Sequence, residues 1–274
     1  MEELKKNSEK RNELFNIKNK IIIITGGIGR LGTELSTTLL DQGAIVIIVD
    51  LNKSENKEKE EILKEKFSEN CFFFECDISK QDQVKKLKNF ILEKFNRLDV
   101  LINCAGVGVY TPFEERSEEE LDHVINVNIK GTINCSRILG EIMKNQKEGH
   151  IINIGSIYGM VSSDKKIYGS SKRNNSEIYS MTKASIIMLT KYLAAYWAPH
   201  NIRVNCISPG GIINEKKVEL KDYMEFTERY GQKTFLNRMG KTSEFKGIIT
   251  YLVSDASSYM TGSNIVIDGG FTSW

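Results

Sequence analysis

Seven short runs of apolar, mostly β-branched or aromatic residues punctuate this chain, and they restrict the folds open to it. IIIIT (21–25), AIVIIVD (44–50), CFFFEC (71–76), DVLINC (99–104), HIINIGS (150–156), IRVNCIS (202–208) and NIVID (264–268) are all strand-length. They are nearly all apolar and do not alternate, the pattern of strands buried on both faces of a parallel sheet. Parallel strands need crossovers. Helix-length segments supply them at 30–42, 54–69, 80–96, 117–145, 177–199 and 242–254. The expected fold is α/β: a single-domain, Rossmann-type doubly wound parallel sheet of about seven strands, with helices on both faces. Two polar stretches, 157–178 and 211–241, are too long for plain connections and are expected to be an insertion beside the active site and a substrate loop.

Composition narrows the function classes. A chain of 274 residues, 40% hydrophobic, can bury one large core. A formal net charge of +2 leaves no general footprint for nucleic acid. No apolar run approaches the roughly 20 residues that span a bilayer. Residues 1–16 carry charges throughout and read as an extension before a domain at 17–274, not as a secretion signal. A cytoplasmic protein with no membrane and no nucleic-acid partner is expected. The five cysteines never fall in C-x-x-C spacing and adjoin apolar runs, so buried reduced thiols are expected. His123, His150 and His200 adjoin no cluster of ligand spacing, and no metal is expected.

The first strand leads into TGGIGRLG (25–32) and a helix start. Glycines there let a backbone approach a pyrophosphate, and the helix N-terminus offers amide donors and a favourable dipole. An ordinary strand–helix turn is the plain alternative. The second strand ends in Asp50, a carboxylate that can accept from adenosine ribose hydroxyls and repel a 2′-phosphate; a simple helix cap is the other reading. Asp77, after the third strand, could reach adenine or cap a helix. NCAG (103–106) closes the fourth strand with small residues that leave room for a flat ligand.

Together with NVNIKG (126–131), INIGS (152–156), YSMTK (179–183), IRVNCISPGGI (202–212) and TGSNIVIDGG (261–270), these segments resemble the short-chain dehydrogenase/reductase family over about residues 18–271. One departure is Arg30, which stands where classical members usually have the middle glycine of TGxxxGxG. The resemblance implies hydride transfer between a nicotinamide cofactor and an alcohol or ketone, with NAD favoured by Asp50 and NADP possible. It implies cofactor contacts from Thr25, Gly26, Gly29, Arg30, Leu31, Gly32, Asp50, Asp77, Ile78, Asn103, Ala105, Gly106, Tyr179, Lys183, Pro209, Gly210 and Ile212. The catalytic set it implies is Asn128, Ser156, Tyr179 and Lys183. Ser156 would orient the substrate oxygen, and Asn128 would hold a water that relays protons to Lys183. A strand-end cap and a helix-bending polar residue are their plain structural readings.

A tyrosine and a lysine four apart occur twice, as Tyr168/Lys172 and Tyr179/Lys183. A lysine ammonium one helical turn away stabilises a phenolate, which otherwise forms only near pH 10. Lys183 opens ASIIMLTKYLAAYWA, whose apolar positions recur at helical spacing, whereas Lys172 opens the turn-like RNNSE. The 26 positions from Lys183 to Pro209 fit the family's helix–strand block without a gap. Against this, the 12 positions from Ser156 to Tyr168 match the usual serine–tyrosine spacing better than the 23 to Tyr179. Loops tolerate insertion and rigid elements do not, so Tyr179 and Lys183 are the expected pair.

The insertion carries Lys165, Lys166, Lys172 and Arg173. It reads either as a solvated basic loop or as a wall or lid for a polar substrate, phosphorylated or nucleotide-linked. GSIYG, a long polar insert and IYSMTKASIIMLTKYLAAYWAPHNIRVNCISPGGI also resemble oxidoreductases of bacterial surface-sugar and flagellin-modification clusters, of the legionaminic acid type. That implies a sugar or sugar-phosphate hydroxyl as the reacting group. A 3-oxoacyl thioester reductase, and a dinucleotide-binding sensor or scaffold without turnover, are the alternatives. The helix that carries the pair is apolar over more than one stripe. Met188, Leu189, Tyr192 and Tyr196, with Phe271 and Trp274, are expected to bury against further copies, as a homo-oligomer with a tetramer ahead of a dimer.

Overall fold

The computed structural model describes residues 13–51, 57–169 and 173–274. Its seven strands are β1 (Ile21–Thr25), β2 (Ile45–Asp50), β3 (Cys71–Glu75), β4 (Val100–Asn103), β5 (Gly149–Ile154), β6 (Ile202–Pro209) and β7 (Asn264–Ile267). All pair in parallel in one sheet, in the order β3-β2-β1-β4-β5-β6-β7. The order reverses between β1 and β4, so a crevice opens beyond their C-terminal ends, where doubly wound sheets bind ligands.

The principal helices are α1 (Arg30–Asp41), α2 (Lys57–Phe67), α3 (Gln81–Phe95), α4 (Glu118–Ile125), α5 (Thr132–Gln146), α6 (Glu177–Trp197), α7 (Lys221–Gly231) and α8 (Lys246–Val253). Successive strand side chains point to opposite faces. Ile23, Ile47, Leu101 and Val204 pack under α3, α5 and α6 on one face. Ile22, Ile48, Ile102 and Ile152 pack under α1 and α8 on the other. This two-sided burial is why the strands read as continuous apolar runs.

Two segments differ from the sequence expectation. The single helix expected over 117–145 is interrupted by a π-helical turn at Asn126–Gly131, between α4 and α5. The stretch 211–241, expected to be a loop, contains α7. Tyr223, Phe226 and Tyr230 recur there at helical spacing. Their rings pack in sequence, with centroids 5.9 Å and 6.1 Å apart. The insertion folds down onto this helix through a short turn, Lys165–Tyr168, closed by Gly169 at φ +57°. Ile157, Ile167, Tyr168, Tyr230 and Met239 form a third, smaller apolar cluster over the crevice.

Candidate active site

The crevice is a cavity of about 1090 Å³ running from the glycine turn to the insertion and α7. At its first end, Gly26 adopts φ +65°, and a Cβ there would stand 2.7 Å from Ala105 Cα. A Cβ on Gly32 would penetrate the Gly26 carbonyl. Gly29 precedes α1 with no side-chain cap, and the first turn carries no acidic residue. The first amides of α1 therefore have no side-chain acceptor, and Gly29, Arg30, Leu31 and Gly32 all line the cavity. An uncapped helix N-terminus is what a pyrophosphate requires.

Among the described residues, Asp50 caps the glycine turn. Its Oδ2 accepts from Ile28 N at 3.1 Å, and its Oδ1 from Leu51 N at 2.8 Å. Lys59 Nζ donates to the Ile28 carbonyl at 3.0 Å, so the Ile28 peptide is held from both sides. Asp77 accepts from Ser79 N and Oγ and lines the wall with Ile78. Ala105, Gly106, Pro209, Gly210 and Ile212 also line the cavity. Thr25 and Asn103 do not; they brace it from behind. Thr25 Oγ1 accepts from Cys104 N and Ala105 N, and Asn103 Nδ2 donates to Ser136 Oγ and Asn153 Oδ1. Cys104 is on the wall, but burial pushes its thiol up to about 12, so it carries no thiolate at neutral pH.

At the other end, Ser176 caps α6 by accepting from Tyr179 N at 3.2 Å, which places Tyr179 in the first turn. Lys183 follows one turn later and is buried, with Nζ donating to Ile154 O at 2.8 Å and lying 5.6 Å from the Tyr179 ring centroid. Burial lowers its pKa. Ser156, at the end of β5, accepts from Tyr158 N at 3.1 Å and faces the Tyr179 phenol. Desolvation raises that phenol above its usual range, opposed by the Ser156 hydrogen bond and the Arg30 charge. The structure thus brings Ser156, Tyr179 and Lys183 together on one wall.

Asn128 lies in the π-helical turn, fully buried behind that wall. Its Oδ1 accepts from Val107 N at 2.8 Å, and its Nδ2 donates to Val107 O and Thr182 Oγ1 at 2.9 and 3.0 Å. It ties the segment after β4 to α6, next to Lys183. Both lie against Gly106, where a Cβ would stand 3.3 Å from Lys183 Nζ and 3.5 Å from Asn128 Oδ1.

Tyr168 lines the same cavity in a different setting. Its ring lies 5.2 Å from that of Phe226, and its hydroxyl adjoins that of Tyr158. Burial drives its pKa up, with the Tyr158 phenol adding to the rise. Lys172 lies outside the described residues. Sequence reasoning did not single out Tyr110, Tyr158, Tyr223, Phe226 and Tyr230, which complete the outer wall. The last three were visible in their helical spacing.

A family model for enoyl-(acyl carrier protein) reductase matches residues 27–272. The chain is 33% identical over 275 residues to D-arabinitol 2-dehydrogenase (ribulose-forming) of Candida tropicalis, covering 95% of each. It is also 33% identical, over 256 residues, to a 3-oxoacyl-[acyl-carrier-protein] reductase of Thermotoga maritima, covering 93% of this chain and 99% of that one. The crystal structure of a short chain dehydrogenase from Leptospira borgpetersenii serovar Hardjo-bovis with bound NAD+ superposes with a TM-score of 0.83 at 40% identity, over 94% of each chain. The chain belongs to the short-chain dehydrogenase/reductase family. Tyr158, Tyr168 and Asn175, with Tyr223, Phe226 and Tyr230 of α7, line the outer half of the cavity. Among the described residues, no helix is long and apolar enough to cross a membrane, and no group of three His, Cys, Asp or Glu could hold a metal.

Proposed function

We propose that the protein is an NAD-linked oxidoreductase interconverting a secondary alcohol and a ketone on a sugar-like substrate. The observation that carries the reading is Tyr179 facing Ser156, with Lys183 one turn below, in a cavity continuous with the uncapped start of α1. The glycine cradle and the Asp50 carboxylate fit a dinucleotide: Gly29 to Gly32 would hold the pyrophosphate, Asp50 the adenosine ribose, and Pro209, Gly210 and Ile212 the nicotinamide end. When bound, the dinucleotide accepts or supplies the hydride. In the oxidising direction the substrate hydroxyl gives its proton to Tyr179 as the carbon loses hydride, and Ser156 holds the oxygen by a hydrogen bond. The Lys183 ammonium stabilises the phenolate before that transfer. Asn128 fixes the wall behind Lys183 and is the proposed holder of a relaying water.

Support for a polar substrate comes from the outer wall, which mixes tyrosine hydroxyls, Asn175 and Asn214 with cations. A greasy acyl chain would favour a plainer apolar lining. The same features favour an origin among bacterial surface-sugar oxidoreductases, and Asp50 favours NAD over NADP. The nicotinamide absorbance assay with both cofactors, run against polyols, sugar phosphates, nucleotide sugars and a 3-oxoacyl thioester, tests the reading. Turnover of the thioester alone would replace it with the acyl reductase reading.

A further inference from the structure

Asn175 leads the insertion back into α6, and its amide is anchored at one end only. Its backbone carbonyl accepts from Ser163 Oγ at 3.3 Å. Its side-chain Nδ2 donates to Ser176 O at 3.4 Å and to Ser180 Oγ at 3.2 Å. A carbonyl oxygen can only accept, so the Ser176 contact fixes which end of the amide is nitrogen. Ser180 follows Tyr179 in the chain, so the amide is pinned to the turn of α6 that carries the reacting phenol. Asn175 is only 7% exposed and lines the cavity. Its remaining polar atom, Oδ1, accepts no hydrogen bond from any described residue. An amide oxygen left unmatched in so buried a place costs free energy that a ligand donor recovers.

We propose that Asn175 Oδ1 accepts a hydrogen bond from a second hydroxyl of the substrate, on the carbon beside the one that exchanges hydride. This rests on the hydride-transfer reading above and deepens it: the substrate is a polyol or an α-hydroxyketone, and not a simple secondary alcohol or an acyl thioester. In that reading Ser156 and Tyr179 are both occupied by the reacting oxygen, so neither reads its neighbour. An amide oxygen has lone pairs and no proton, so it accepts from a hydroxyl and has nothing to give an ether or a carbonyl. Anchoring through Nδ2 keeps this acceptor in one orientation before the substrate arrives, which spares the cost of ordering it on binding. A site built to pair with a hydroxyl discriminates against an analogue that lacks one, because its own buried group is then left unmatched.

Propane-1,2-diol, 1-methoxypropan-2-ol and propan-2-ol share a secondary alcohol and differ only at the neighbouring carbon, which carries a hydroxyl, a methyl ether or hydrogen. Chemical-shift titration of the NAD+-saturated Tyr179→Phe protein with the three tests the contact without turnover. The diol should bind about 3- to 10-fold more tightly than either of the others, the value of one neutral hydrogen bond. The preference should hold as sodium chloride is raised, because the acceptor carries no charge. In Asn175→Ala the three should bind within about twofold of one another. The methyl ether keeps an oxygen in place and loses its proton, so that comparison carries the test by itself if Asn175→Ala folds poorly. Binding of the ether as tightly as the diol overturns the proposal, as does equal binding of all three or binding of none. A preference that survives Asn175→Ala in a folded protein, or that falls with salt, overturns it too. Failure of the wild-type protein to reduce NAD+ with propane-1,2-diol counts against the proposed reaction, and the binding preference is read independently of it.

Discussion

Replacing each of the two tyrosines by phenylalanine separates their roles, because each change removes one oxygen and leaves a ring in place. At Tyr179 the lost oxygen is the one that faces Ser156 and lies beside the buried Lys183 ammonium. General acid–base help of this kind is worth about 10²–10⁴ in rate, or about 3–5 kcal/mol of activation free energy. Turnover should fall by at least that factor while cofactor affinity changes little, since the glycine turn and Asp50 are untouched. At Tyr168 the ring keeps its 5.2 Å contact with Phe226, and the lost oxygen is a buried hydroxyl beside Tyr158. Removing a buried hydroxyl from its polar neighbours costs about 1–2 kcal/mol of stability. For a chain of this size that lowers Tm by about 2–4 °C per kcal/mol, and most turnover should be retained. Nicotinamide absorbance at saturating cofactor gives kcat, quenching of protein fluorescence gives cofactor affinity, and circular dichroism gives Tm. Equal losses of kcat in the two variants would undo the assignment, and loss in Tyr168→Phe alone would reverse it.

Asp50→Ala should narrow the preference for NAD over NADP by about tenfold, because a carboxylate pre-set by the Ile28 amide no longer opposes a 2′-phosphate; a wild-type preference for NADP, measured by fluorescence titration, refutes this. His150 should make stability fall with acid. Its Nδ1 donates to Leu252 O and its Nε2 accepts from Asn205 Nδ2, and burial with the Arg203 charge holds its pKa well below the usual value. Below about pH 6.5 the unfolded chain therefore binds a proton that the folded chain does not, at up to about 1.4 kcal/mol per pH unit. Denaturant titrations from pH 7 to pH 5 should show this slope weakened in His150→Asn, and an unchanged slope refutes it. Met181, Met188, Tyr192 and Tyr196 leave an apolar stripe on α6 about 60% exposed, and we expect a homo-oligomer to cover it; a monomer near 31.2 kDa by light scattering at micromolar concentration excludes this.

The sheet was legible because burial on both faces leaves a direct trace in sequence: strands such as IIIIT run apolar from Ile21 to Ile24 with no alternating polar position. The polar residues were harder to place. Thr25 and Asn103 read as cofactor contacts from their motif, but their side chains turn inward to brace the wall. Asn128 sits in one widened helical turn, and a π-helical step leaves no periodic signature in a window of ordinary length. Leu189, expected on the outer face of α6, packs against the core, and Phe271 stacks on Tyr230 at 5.0 Å. A stripe on an all-round apolar helix does not announce which side meets the sheet. The helix at 221–231 left only a faint trace among its charges, the spacing of Tyr223, Phe226 and Tyr230.

The serine–tyrosine spacing, which at first favours Tyr168, has a physical resolution in how the insertion is rooted. Its first turn leaves β5 through Gly159, where a Cβ would stand 2.7 Å from the Lys183 carbonyl carbon and 2.8 Å from Ala184 N. The chain there is pressed against α6 at the lysine itself. Its last residues return at Asn175, which donates to Ser176 O and Ser180 Oγ, and at Ser176, which caps α6 below Tyr179. The start of α6 is also held from outside the insertion, by the ion pair of Glu177 with the buried Arg116. Both ends of this segment are therefore fixed to the helix that carries the proposed reacting pair, within about two turns of each other. What lies between them can lengthen without moving Ser156 relative to Tyr179 and Lys183. Near-doubling such a loop costs only about 0.6 kcal/mol in closure entropy. That is small beside the rate loss expected when a proton-transferring oxygen is misplaced, so sequence spacing across this loop is a weak guide to chemistry. The spacing from Lys183 to Pro209, through rigid α6 and β6, is a strong one.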